Sequence, residues 1–173
     1  MYLDNWYKTN ISGTKNEQYV ADNIFCNNRT VYYGKSYGTS STNYHWSKFS
    51  NAASHSNLKC IQQNDAFTVN DTVYGNGALT YPIGLLSTDE VVLAGGYSTN
   101  NMGYYLHSGS WYWVSSPYDF YGQDADIQDV SAHGDASDCT NANSSYGKVR
   151  AVLNLKLEVL ANGTGEKEDP FRP

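Results

Sequence analysis

From Val149 to Val159 apolar side chains fall on every second position: Val149, Ala151, Leu153, Leu155, Leu157 and Val159, with Arg150, Asn154, Lys156 and Glu158 between them. A β-strand turns successive side chains to opposite faces, so this run predicts a strand with one face on a core and the other in water. Such a strand needs neighbours, and the pattern from residue 97 onward is accordingly β-rich. Tyr104-Tyr105-Leu106 and Trp111-Tyr112-Trp113-Val114, separated by Ser108-Gly109-Ser110, predict a hairpin broken by Ser116-Pro117. Ala125-Asp126-Ile127-Gln128 alternates apolar and polar, and Gly134 marks a turn. Tyr105 and Trp113 fall on the patterned strands and are expected in the core.

The first half is read differently. Residues 2–9 and 17–26 predict two short helical pieces, the first with Leu3, Trp6 and Tyr7 on one face. Residues 27–78 are polar and irregular, with turn markers at Gly34, Gly38, Asn51 and Asn57 and short β pieces at 30–33, 58–61 and 66–69. Residues 81–86 predict a short buried strand. Ser87 followed three positions later by Glu90 is a capping box, and Val91 to Ala94 with Gly95-Gly96 complete a short helix. Helices first and strands later make an α+β arrangement. The 173 residues suit one domain, at 1–162, with 163–173 as a polar tail or linker.

Charged residues are only 16% of the chain, while Tyr alone numbers 16 and Trp 4. The polar surface is therefore built from Asn, Ser, Thr, Gly and Tyr, a composition that favours a secreted protein. Net charge is −6 with no basic cluster, which argues against nucleic acid as a partner. No apolar run approaches the roughly 18 residues of a membrane span, so no membrane insertion by this domain is expected. No signal peptide is visible, and Met1 reads as an added start on a domain cut from a longer protein.

The chain offers little that resembles a catalytic set. His45, His55, His107 and His133 lack metal-ligand spacing, and no nucleophile elbow, P-loop or dinucleotide fingerprint occurs. An enzyme is not expected, although a carboxylate pair for glycoside hydrolysis remains as an alternative. Asp124, Asp126 and Asp129 are calcium candidates, but Asp129 stands where a calcium loop needs Gly and Asp135 where it needs Glu. The cluster reads first as a solvated acidic edge, and no cofactor is expected. Of the three cysteines, Cys26 and Cys60 can pair; the other reading is three thiols. Recognition is better supported. Residues 97–147 mix Tyr, Trp, Ser, Gly, Asn and Asp as antibody paratopes do, with rigid aromatic area and adaptable hydrogen bonds. The expected ligand-binding residues are His107, Trp111, Tyr118, Asp119, Tyr121, Gln123, Asp124, Gln128 and His133.

The run from Tyr81 to Gly96, with Tyr104-Tyr105-Leu106, Tyr112-Trp113, Ser116-Pro117 and Val149 to Leu155, resembles surface or prophage-associated proteins of gut Firmicutes. Asp4 to Tyr7, Ile24 to Asn27 and Leu58 to Cys60 fit the same group, so the resemblance spans nearly the whole chain. It implies a C-type-lectin-like fold, with short helices packed on a twisted antiparallel sheet and long irregular loops. That branch of the fold is shared by formylglycine-generating enzymes (sulfatase-modifying factors) and the variable proteins of diversity-generating retroelements. The resemblance to the latter implies an adhesin or receptor-recognition module with a hypervariable surface within 107–146. Its ligand would be a protein or glycan on another cell, phage or host surface, and its place extracellular, on a cell surface or a phage particle. Formylglycine-generating enzymes use a late cysteine pair, and only Cys139 lies in that half here. The alternatives are an enzyme on that fold and a structural pilus or phage-fibre domain.

Overall fold

The Ser87 capping box closes in both directions. Glu90 N–H donates to Ser87 Oγ at 3.2 Å, and Ser87 N–H donates to Glu90 Oε2 at 2.7 Å. In the computed structural model, which describes residues 2–32, 35–45, 56–96, 101–136, 138–166 and 168–172, this box starts one of the two α-helices found among the described residues. His55, the turn residues Gly34 and Asn51, residue 33 of an expected β piece, and residues 97–100 and 137 of the recognition stretch lie outside the described residues.

Helix α1 is Tyr2–Asn10, followed by strands β1 (Phe25–Cys26), β2 (Ser41–Asn43) and β3 (Ala66–Phe67). Helix α2 is Thr88–Leu93, followed by β4 (Tyr112–Tyr121), β5 (Asp124–Val130) and β6 (Asp138–Asn141). The strands make two antiparallel sheets: a small one of β1 and β3, and a four-stranded one in the order β2-β4-β5-β6. Among the described residues the chain is thus α+β, with two antiparallel sheets and few, short helices.

The core lies where α2 covers the sheet. Val91 from the helix packs with Tyr112, Val114, Val130 and Ala136, flanked by Leu86 and Tyr104. Thr88 N–H donates to the buried Ser116 Oγ at 2.9 Å, fixing the helix start against β4. Full burial of each Val contributes about 1.5–3 kcal/mol, so the two valines of α2 hold it more firmly than its six residues could alone. Outside that cluster, Tyr7 of α1 stacks on Tyr81 with ring centroids 4.9 Å apart. Cys26 and Cys60 form a disulfide, which ties β1 to the chain just before β3.

Several expectations are corrected. The hairpin is formed by β4 and β5, turning at Gly122-Gln123, where Gly122 has φ of +64°. That is the positive φ a two-residue hairpin turn demands, and glycine adopts it without cost. Residues 104–106 are not a strand. Pro117 does not end β4: the register shifts on both sides of it, so its missing N–H falls at an irregularity in the ladder. Tyr105 is 80% exposed rather than in the core.

The alternating run 149–159 is not a strand of either sheet. Its backbone touches two segments in turn: Val152 exchanges two hydrogen bonds with Gly84, and around Val20 Asn154 O accepts from Ala21 N–H while Lys156 N–H donates to Tyr19 O. Leu155 is 52% and Leu157 84% exposed, so no face of the run is uniformly covered. Periodicity sets which side chains share a face, but a strand needs a ladder beside it, and among the described residues the run makes only the isolated bridges to Gly84 and Val20. The expected helix at 17–26 stops after a single turn at Glu17–Tyr19, because Phe25–Cys26 pairs with β3 instead. Of the expected β pieces, 66–69 contributes β3, whereas 58–61 is irregular. Near the C-terminal end Asn162 and Arg172 exchange backbone hydrogen bonds.

Candidate functional site

Register places four polar residues in one row across the large sheet. Asn43 of β2 lies opposite Asp119 of β4, Asp119 opposite Asp126 of β5, and Asp126 opposite Asn141 of β6. Directly opposed residues of antiparallel strands project on the same side, so the row reads amide, carboxylate, carboxylate, amide. The next row toward the hairpin turn holds Ser41, Tyr121 and Asp124. Asn141 bridges the rows, its Nδ2 donating to Asp124 Oδ1 at 2.8 Å.

Two carboxylates at opposed positions repel. Asp119 is partly buried, and that burial, followed by the charge on Asp126, raises its carboxyl above the ordinary aspartate range. Tyr118 sits in the irregular step between Pro117 and Asp119. Burial is the first cause raising its phenol, followed by the neighbouring Cys139 and Asp119; its hydroxyl is hydrogen-bonded with Cys139. Tyr121 is 75% exposed beside this group, and Gln123 is exposed in the turn. A patch of two tyrosines, three aspartates and two asparagines therefore surrounds the β4–β5 turn.

The other expected residues lie elsewhere. Gln128 shares the β5 face of Asp126 by alternation, but it is fully buried and leaves the proposed surface. The core sits over that end of β5, and Val130 is buried beside it. His107 and His133 lie at the opposite end of β5, where His107 Nε2 is 3.0 Å from the carbonyl oxygen of Ala132, the residue before His133. Six residues of strand separate that end from Asp124, about 20 Å at 3.4 Å per residue. Trp111 precedes β4 at the same far end and lines a cavity on the other side of the sheet. The nine residues expected to form one face thus divide into a patch, a loop pair, a buried amide and a cavity residue.

Sequence reading missed Asn43 and Asn141, which enter the site only through cross-strand register. Among the described residues, no group of three or more His, Cys, Asp or Glu is placed to hold a metal ion. Of the calcium candidates, Asp129 is buried on the opposite face of β5 from Asp124 and Asp126, and its Oδ2 accepts from Thr140 Oγ1 at 2.6 Å. Strand alternation therefore separates Asp129 from the other two. Among the described residues, no helix is long and apolar enough to cross a membrane. Comparison with protein-family models, curated proteins and solved structures finds no match to this chain.

Proposed function

We propose that this chain is a ligand-recognition module, and that the patch around Asp119, Asp126, Tyr118 and Tyr121 is its binding surface. The observation that carries the reading is the opposed pair Asp119–Asp126, flanked by Asn43 and Asn141. Like charges placed opposite one another cost a sheet stability, and groups with displaced titration concentrate at functional sites. Carboxylates and side-chain amides accept from and donate to hydroxyl groups, while the exposed ring of Tyr121 supplies flat apolar area. That chemistry suits a glycan or a hydroxyl-rich protein surface. The net charge of −6 disfavours nucleic acid.

The same reading takes the fold as C-type-lectin-like. Short helices on an antiparallel sheet and the capped α2 support it. The Cys26–Cys60 disulfide supports an extracellular location, since such bonds persist in oxidising surroundings. It also leaves Cys139 as the remaining thiol, which counts against a cysteine-pair oxidase. The test is an array of glycans and bacterial, phage and host surface proteins, probed with the chain and with its Tyr121→Ala and Asp119→Asn variants. Binding that weakens by about fivefold or more in both variants supports the proposal. Binding that both variants retain in full overturns it.

A further inference from the structure

A second site lies on the opposite face of the sheet, and it differs in chemistry from the polar patch. Trp111, Trp113, Tyr146, Gly147, Asp129 and Thr140 line a cavity of about 310 Å³. Trp113 and Asp129 are register partners on β4 and β5, so indole and carboxylate project on the same side. Thr140 Oγ1 donates to Asp129 Oδ2 at 2.6 Å, which orients the carboxylate from β6. The wall carrying Tyr146 is fixed by backbone: Trp113 N–H donates to Lys148 O at 3.0 Å, and Lys148 N–H donates to Trp111 O at 3.1 Å. Gly147 lies so close to the indole that a Cβ there would overlap Trp113 Nε1. Trp111 is 39% and Tyr146 89% exposed, so both rings are open to an incoming group.

Three electron-rich rings around one buried carboxylate fit a cation rather than a neutral polyol. A sugar ring needs several hydrogen-bonding groups at its rim, whereas these walls are mainly aromatic. Ring faces attract a positive charge, most strongly when it is weakly hydrated, and the carboxylate at the base adds to that attraction. The net charge of −6 draws cations toward the chain as a whole. We propose that this cavity binds a methylated or quaternary ammonium group. The shared chemistry is a trimethylammonium head, carried by choline or by a methylated lysine.

The experiment titrates the intact chain with choline chloride and follows tryptophan fluorescence. Sodium chloride at equal ionic strength and the neutral isostere 3,3-dimethylbutan-1-ol serve as controls. The expected result is a saturable response to choline that neither control reproduces. Tyr146→Ala, at a mostly exposed position that does not threaten folding, should weaken it about three- to tenfold. Asp129→Asn should abolish it, and Tyr146→Ala keeps the test decisive if that buried variant fails to fold. A trimethyllysine peptide run beside choline assigns the source to whichever binds more tightly. Equal binding of the neutral alcohol, a response matched by sodium chloride, or binding that Tyr146→Ala leaves unchanged would overturn the assignment.

Discussion

Replacing Asp119 by Asn removes one of two opposed carboxylates while keeping the side chain's shape; one acceptor oxygen becomes an N–H donor. Opposed side chains in an antiparallel pair have Cβ atoms about 5 Å apart. At that separation two unit charges repel by about 0.8 kcal/mol under water-like screening, the appropriate limit for a partly exposed pair. The sign follows from titration. Burial and Asp126 raise the carboxyl of folded Asp119 above its ordinary value, so the folded state favours the protonated form. Its contribution to stability is complete below the unfolded aspartate value near 4 and is lost as pH rises through the raised folded value. The substituted amide carries no charge at any pH and avoids that loss. Urea unfolding should therefore show Asp119→Asn more stable than the parent by about 0.8 kcal/mol at pH 7 and indistinguishable from it at pH 3. High salt should shrink the gain at pH 7. A variant less stable at pH 7, or a gain equally large at pH 3, would refute the opposed-charge reasoning.

Other outcomes follow from the scaffold. Replacing both Cys26 and Cys60 by Ala frees a loop of 34 positions, and the chain-entropy relation puts the loss at about 3.8 kcal/mol, read as a lower urea midpoint. Ser87→Ala removes one half of the capping box and should cost about 1 kcal/mol by the same assay. Tyr7→Ala empties a buried ring position stacked on Tyr81 and should cost about 3–5 kcal/mol, seen as a large drop in Tm.

Local chemistry was legible and pairing was not. The capping box, the first helix and the closing glycine of α2 were readable because each depends on residues within a few positions of one another. The run 149–159 carried the strongest periodicity in the chain, yet it pairs only with isolated residues, since a strand also requires a neighbour that periodicity cannot name. The true hairpin was hidden by Pro117, which a bulged strand tolerates. The site followed the same rule. Tyr118, Asp119, Tyr121, Gln123 and Asp124 are near in sequence and were found together. Asn43 and Asn141 reach them through register with β2 and β6, and Gln128 was misplaced because alternation does not reveal which end of a face the core covers.

The central claim is that the polar patch formed by β4, β5 and β6 around the β4–β5 turn meets the ligand. Backbone amide shifts, recorded by NMR on the labelled chain as a ligand found on the array is added, test it most directly. The claim predicts perturbations concentrated at 118–126 and 139–141, with Asn43 responding from β2. Perturbations confined to α1, to β1 and β3, or to the loop of His107 and His133 would contradict it.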